Sequence, residues 1–507
     1  MYTNDNALET NNRFNAADVL IAISILFESV LCVMQLFGIS EEVNRMMFAN
    51  VYVLFFAVLF YFLLVGVNKH FLIFAFYCCF FLFLLGQKMF KYIETGGYDE
   101  FLTFVFLKLD PDEYFKFSFI VYGALTGIFA GYRLSFNRYY ILKYRDSARD
   151  SCYCPGAEDR LAARRRIIVP MLAVCFVCAL YMQVKIVLTK ADVSYTEGYL
   201  INVDVNPIIK AGNYLFVGFL FLYLCCRPKL RYAAVVLVMF LIVEGGLQMF
   251  TGRRALIAKT LLLVVWYVIN YFGYEKKKMP YRYLIYLALA ALGGILLFWL
   301  IEQIRSDADK SFSLFGAVKD FLVSTGGSDS VIANTIRNKD AFPKHGIVYL
   351  LNPITETLFG NALINEIKWR LFGIEIPSYV QGVDYIAHSD SFAHWISYIV
   401  NPDLYVKGYG MGSSFIAELY LAFGVVGVIV GAIFIGRIIA GLTSFNINKT
   451  SVVKNAVMLF FAYNLFTLPR SGVFDTATEL LYFLCAVIIY EITVKAFVAK
   501  GMKNERL

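Results

Sequence analysis

The chain is poor in charge. Only 17% of its 507 residues are Asp, Glu, Lys or Arg, while 59% are hydrophobic. No soluble domain of that length could cover so much apolar surface, which excludes a soluble enzyme or binding module. Histidine is scarcer still, with four in all. None stands in a His-Glu-x-x-His arrangement, and Gly-x-x-x-x-Gly-Lys and a Gly-rich dinucleotide turn are missing too. Ten cysteines are present, in apolar runs or in one basic loop (Cys152, Cys154), and the large polar insert has none. Neither Cys152-Tyr-Cys154 nor Cys175-Phe-Val-Cys178 has the second ligand pair that a zinc site needs. No internal repeat relates the two halves, which speaks against a two-fold transporter. The polar start lacks a basic region, so the first apolar run reads as a retained anchor rather than a cleaved signal.

What fills the chain is aromatic and aliphatic, with 48 Phe and 35 Tyr. A helix needs roughly 20 apolar residues to cross a bilayer, and about twelve runs qualify. They lie near 17–37, 48–67, 70–90, 116–134, 167–188, 211–226, 231–250, 255–273, 283–302, 413–441, 452–468 and 475–497. These runs are too long for barrel strands and do not alternate with period two. The expected fold is an all-α polytopic membrane protein. Residues 1–302 carry the first nine runs. Residues 303–412 form a large polar-to-mixed insert, expected to hold short helices lying over the bundle. Residues 413–507 carry the last three runs and a tail.

Orientation follows from the basic loops. Residues 133–166 hold nine Lys/Arg against four acids. Arg227-Pro-Lys-Leu-Arg231 and Lys276-Lys-Lys-Met-Pro-Tyr-Arg282 are also basic and fall on the same side. The positive-inside rule makes that side cytoplasmic. Both termini are then inside and the 303–412 insert is outside, with Lys339 external and Arg145 internal. The formal charge of +8 is absorbed by the inside loops and asks for no nucleic-acid partner. Phe312, Phe315, Val318 and Phe321-Leu322 recur at helical spacing and should pack onto the membrane domain.

Cations on the far side carry more information. Arg253 and Arg254 tip a short external turn, Arg305 follows the run 283–302, and Arg470 sits in Leu468-Pro-Arg-Ser-Gly-Val-Phe-Asp475. Snorkelling or ion pairing would account for each alone. A shared cationic pocket gripping a diphosphate would account for them together, since the planar guanidinium fork matches phosphate oxygens. Arg254, Arg305 and Arg470 are expected to converge. Glu244 lies about 12 Å below the Arg253 turn and Lys259 about 8 Å below it on the next helix, by helical rise. Their depths suit a structural ion pair. Glu418, near the external end of run 413–441, is a candidate for orienting an Arg or acting as a base. Asp110-Pro-Asp112 and Asp307-Ala-Asp309 have the spacing of some metal-binding acid pairs, but turns and caps use the same residues. No metal or cofactor is expected.

His70 lies in an inside turn beside Lys69 and reads as loop. His388 and His394 flank Ser389-Asp390-Ser391 near the membrane. An imidazole can take a proton near neutral pH, and a carboxylate can fix its tautomer. Six residues put the two about 240° apart around a helix, so they are not expected to act as a pair. His394 is the first candidate base, ahead of His388 and Asp390.

The stretch Gly408-x-Gly-x-Gly-Ser-Ser-Phe-Ile-Ala-Glu-Leu-Tyr-x-x-Phe-Gly424-x-x-Gly427, with Asp390-Ser-Phe-Ala-His394 before it, resembles the start of a late span in bacterial oligosaccharide repeat-unit polymerases, the Wzy group. Thr251-Gly-Arg-Arg-Ala255 is similar to a turn these proteins carry earlier, and Arg305 and Gly316 fit an Arg-x10-Gly spacing. The likeness extends to the plan of many spans with one late external loop, a GT-C-like arrangement. It implies a lipid-linked glycosyltransferase in the bacterial inner membrane. Undecaprenyl-diphosphate-linked oligosaccharides would serve as donor and acceptor at the periplasmic face. A chain-length regulator and a flippase are the protein partners that it brings in. O-antigen ligases share the plan. A lipid-linked oligosaccharide flippase would instead line a path through its helices, where Glu244, Lys259 and Glu418 lie, and a scaffold would leave the external arginines without a purpose.

Overall fold

The computed structural model describes residues 15–38, 41–96, 103–150, 157–190, 197–201, 203, 205–248, 255–274, 316, 323, 325–360, 371–373, 381–446 and 451–504. In chain order its main helices begin with α1 (Ala16–Leu36), α2 (Glu41–Val65), α3 (Phe71–Thr95), α4 (Pro111–Asp150) and α5 (Ala157–Lys190). Then come α6 (Pro207–Cys225), α7 (Leu230–Leu247) and α8 (Ala255–Tyr274). The insert contributes α9 (Asp329–Arg337), α10 (Gly346–Thr355), α11 (Val383–His388) and α12 (Phe392–Val400). The chain closes with α13 (Phe415–Leu442), α14 (Val452–Leu465) and α15 (Ala477–Asn504). Among the described residues, one hairpin of β1 (Thr103–Phe104) and β2 (Leu107–Lys108) is the whole of the strand content.

Helices α1–α8, α13 and α15 account for the 10 that are long and apolar enough to cross a membrane. They match ten of the apolar runs. The run 452–468 appears as the shorter apolar helix α14, and the run 283–302 lies outside the described residues. Helix ends follow local chemistry. Asn15 and Asp18 form a reciprocal capping box on α1, Asn206 caps α6 ahead of Pro207, and α3 ends on Gly96 at φ 63. Leu26 and Leu36 of α1 stay exposed, as lipid-facing positions do. The protein is thus an all-α polytopic membrane protein.

The centre of the bundle is the contact of α4 with α13. Gly123, Gly127 and Gly131 of α4 meet Ile429, Ala432 and Ile433, and Gly436 of α13 lies on the backbone of Ile128 and Tyr132. Small residues at that spacing let two membrane helices touch backbone to backbone. A larger side chain at Gly131 would overlap the Ile433 carbonyl.

Three expectations need correction. The run 413–441 is not one straight span: α13 breaks at Gly424, which takes φ 68 and ψ −160. Leu419 lies against both Gly427 and Gly431, whereas a straight helix would hold Leu419 and Gly431 about 18 Å apart. Residues 415–423 therefore fold back beside 425–442, and only glycine takes this backbone without strain. The insert does not merely lie over the bundle. Residues Asp329–Thr335 of α9 are buried, packed on α4 and α13. Its Ser330 Oγ accepts from the Val105 N–H at 3.1 Å, and Asn334 Nδ2 donates to the Val105 carbonyl at 3.2 Å, which ties the hairpin to it. The stretch holding Phe312, Phe315, Val318 and Phe321-Leu322 lies outside the described residues. His70 is not a loose loop residue. It is 3% exposed, its Nδ1 is 2.9 Å from the Tyr132 hydroxyl, and its ring lies 4.3 Å from that of Phe136.

The basic loop residues also have structural work. Arg133 pairs with the buried Asp18, joining α4 to the start of α1. Arg165 donates to the Cys226 and Arg227 carbonyls at 2.8 Å, covering the bare C-terminal end of α6.

Candidate functional site

The turn after α14 carries Arg470 and is built to be held still. Pro469 starts a short 3-10 turn, Leu468–Arg470, and the Arg470 side chain stays exposed. Its guanidinium carbon lies 6.0 Å from the ring of Phe83, in the π-helical turn Phe81–Leu85 of α3. Such turns widen a helix and recur at functional sites.

The first turn of α13 grips the backbone of the Arg470 turn. Glu418 is 2% exposed. One of its oxygens accepts from the Val473 N–H at 2.9 Å and the other from the Ser413 hydroxyl at 2.7 Å. Ser414 Oγ donates to the Pro469 carbonyl at 3.4 Å. Asp475 accepts from the Gly472 N–H at 2.5 Å. Gly472 thus sits between two carboxylates, and a Cβ there would collide with both. Asp475 itself is exposed, and sequence reasoning missed it. It was visible only as the last residue of the Arg470 turn.

The three residues of the His388 to His394 stretch have different surroundings. His388 is exposed, with Nδ1 3.0 Å from the Asp384 carbonyl of its own helix. Asp390 is engaged by Lys344 at 2.5 Å. His394 sits in an aromatic wall. Its Nδ1 is 3.0 Å from the Tyr405 hydroxyl, and the Tyr385 ring meets it edge-on at 4.6 Å. Burial lowers the His394 imidazole to about 4, so it is neutral throughout the neutral range. The helix of His394 is joined to Glu418 through one short segment. Ser397 Oγ accepts from the Met411 N–H at 2.9 Å, and Ser413 two residues on bonds Glu418.

Two lysines, Lys88 and Lys259, are buried as well. Lys88 of α3 donates to the Thr103 carbonyl, lies 3.4 Å from the Phe104 ring centre and faces Asp329 at 4.0 Å. Burial raises the Asp329 carboxyl to about 6 despite that lysine. Sequence reasoning missed this pair. Lys259 reaches Asn464 at 2.6 Å and Glu479 at 3.8 Å, joining α8 to α14 and α15. The ion pair expected with Glu244 is therefore made with Glu479. Glu244 remains within electrostatic range of Lys259 and accepts from Gln248 at 2.9 Å.

The structure thus brings Glu418, Asp475 and the Arg470 turn together. Arg253, Arg254 and Arg305 lie outside the described residues, as do Asp307 and Asp309. No group of three or more His, Cys, Asp or Glu able to hold a metal occurs among the described residues. The arrangement offers an exposed guanidinium on a braced turn, an exposed carboxylate and a neutral imidazole.

Neither the curated proteins nor the solved structures contain a match to this chain. The family model described as O-antigen polysaccharide polymerase Wzy matches residues 19–500, almost the entire length. The chain, with its polytopic helical bundle and late insert, belongs to the O-antigen polysaccharide polymerase Wzy family.

Proposed function

We propose that this polymerase joins undecaprenyl-diphosphate-linked oligosaccharide repeat units at the periplasmic leaflet of the bacterial inner membrane. The family match over residues 19–500 carries this reading. In the reaction, the bond between an anomeric carbon and the carrier diphosphate breaks. A hydroxyl of the acceptor repeat unit forms the new glycosidic bond and loses its proton, and undecaprenyl diphosphate leaves. Negative charge grows on the diphosphate as it departs. Arg470, held by the Glu418 and Asp475 contacts to its turn, is assigned to stabilise that charge, with Arg253, Arg254 and Arg305 as its proposed companions. Guanidinium groups can do this without a metal. His394 is assigned to receive the acceptor proton through the ring nitrogen that Tyr405 does not engage. His388 and Asp390 rank behind it because the Asp384 carbonyl and Lys344 already engage them.

The decisive experiment is reconstitution of the full chain in vesicles with lipid-linked repeat units. A ladder of glycans on the lipid carrier is expected. Transfer to a lipid A core instead would make the chain a ligase, and passage across the bilayer with no new glycosidic bond would make it a flippase. Sidedness has its own measurement: a cysteine at Lys339 should react with an impermeant reagent from the periplasm, and one at Arg145 should not.

A further inference from the structure

Phe106 and Arg227 are the two non-glycine residues with positive φ among the described residues, and Phe106 has φ 61. It occupies the second position of the two-residue turn between β1 and β2, a place hairpins normally give to Gly or Asn. A bulky aromatic residue in the left-handed region is strained. Burial does not offset the strain in the usual way, because the Phe106 side chain remains 50% exposed. Strain held in place on an exposed ring points to function.

The turn is held rigidly. Val105, the residue before, is bonded through both its N–H and its carbonyl to α9. Lys88 holds the Thr103 carbonyl on one strand, and Arg337 reaches the Lys108 carbonyl at 3.3 Å on the other. What the clamp presents is the Phe106 ring, whose centre lies 5.6 Å from that of Tyr409 at an angle of 76°. Tyr409 belongs to the insert and is itself partly exposed. Gln381 Nε2 donates to the Tyr405 carbonyl at 2.7 Å and to the Tyr409 carbonyl at 2.8 Å. The same loop therefore holds Tyr409 beside Phe106 and Tyr405 beside His394.

We infer that Phe106 and Tyr409 form a stacking platform for a pyranose ring of the oligosaccharide substrate. The proposal rests on the polymerase reading above and adds a subsite to it. Two rings set nearly at right angles give a sugar one flat face and one edge wall. The C–H face of a pyranose packs on an aromatic ring as other apolar faces do. A bilayer anchor would present a ring to lipid, whereas Phe106 is set against the insert.

The test uses the full chain in nanodiscs and the lipid-free repeat-unit oligosaccharide released by mild acid from the carrier lipid of the same cells. Phe106→Gly and Tyr409→Ala should each weaken binding of that oligosaccharide about tenfold, which corresponds to about 1.4 kcal/mol. Phe106→Trp should retain binding. In the polymer assay Phe106→Gly should raise KM for the acceptor and leave kcat near its wild-type value. Because glycine relieves the strained φ, its Tm should hold or rise, whereas a merely structural ring would give a lower Tm. Unchanged oligosaccharide binding by Phe106→Gly overturns the platform while leaving the polymerase reading intact. Quenching of the Trp in Phe106→Trp by brominated lipid also overturns it, in favour of a membrane anchor. A wild-type chain that binds the oligosaccharide but makes no polymer would instead sink the polymerase reading alone.

Discussion

Lys88 and Asp329 face each other at 4.0 Å with almost no solvent contact, at 3% and 1% side-chain exposure. The first belongs to α3 and the second starts α9, so this contact fastens the insert to the membrane helices. Removing one partner of a buried pair leaves the other uncompensated, which typically costs about 3–5 kcal/mol. Lys88→Met should therefore lower the melting temperature in detergent and loosen α9 to protease. The double variant Lys88→Met/Asp329→Asn should recover part of the loss. Equal melting temperatures for wild type and Lys88→Met would mean that the pair contributes nothing.

Gly472→Ala tests whether the Arg470 turn must be held where it is. The added methyl would meet Asp475 at 2.7 Å and collide with Glu418, so the turn must shift. A misplacement of about 1 Å at a reacting centre can reduce rate about a hundredfold. Polymer yield should fall by that order, with the protein still present in the membrane at its normal level. Ser413→Ala removes one hydrogen bond to Glu418 and moves nothing, so its effect should be far smaller. A Gly472→Ala protein with normal ladders would detach the turn from the chemistry.

The spans were legible because a bilayer demands some twenty apolar residues in a row, and nothing else in the chain satisfies that demand. The break in α13 was hidden for the same reason. Gly424 lies between Phe423 and Val425 in an unbroken apolar run, and the contacts that accompany the break lie away from it, Leu419 against Gly427 and Gly431 and Leu421 against Gly346 at the start of α10. His70 looked like loop from its neighbour Lys69, and what buries it is Tyr132 and Phe136 of α4. Lys88 lies inside the apolar run 70–90 and was not singled out, since its partner Asp329 is remote in sequence. For Lys259 the sequence suggested a buried ion pair, but depth along adjacent helices cannot distinguish Glu244 from Glu479, which arrives on the last helix.

Acid sensitivity should trace in part to His70. Burial first, then the Lys69 charge, lowers its imidazole to about 4. The unfolded chain then binds more protons than the native one between about pH 6.5 and 4. Stability from this group is complete above pH 6.5 and is lost as the pH falls towards 4, by up to about 3 kcal/mol. Asp329 has the opposite sign. Its carboxyl, raised to about 6, favours the fold at low pH and weakens it as pH rises through 6. Comparing variants separates the two. His70→Gln should narrow the gap in melting temperature between pH 7 and pH 4.5, and an unchanged gap would remove His70 as a source.

The last expectation concerns His394 and its hydroxyl partner Tyr405, 3.0 Å away. If His394 receives the acceptor proton, kcat/KM should fall on the acid side with a midpoint near 4, where the free imidazole becomes protonated. A group with the ordinary histidine value would place that limb near 6.5 instead. His394→Ala should abolish chain growth with protein level unchanged. Gln keeps hydrogen-bonding capacity but cannot take a proton at neutral pH. His394→Gln should therefore be inactive as well. Tyr405→Phe removes the bond at Nδ1 and should reduce the rate without abolishing it, because the other ring nitrogen remains to accept the proton. An active His394→Gln protein whose acid limb is unmoved would make His394 a binding residue. Asp390, ranked behind it, would then be the first group to examine as the base.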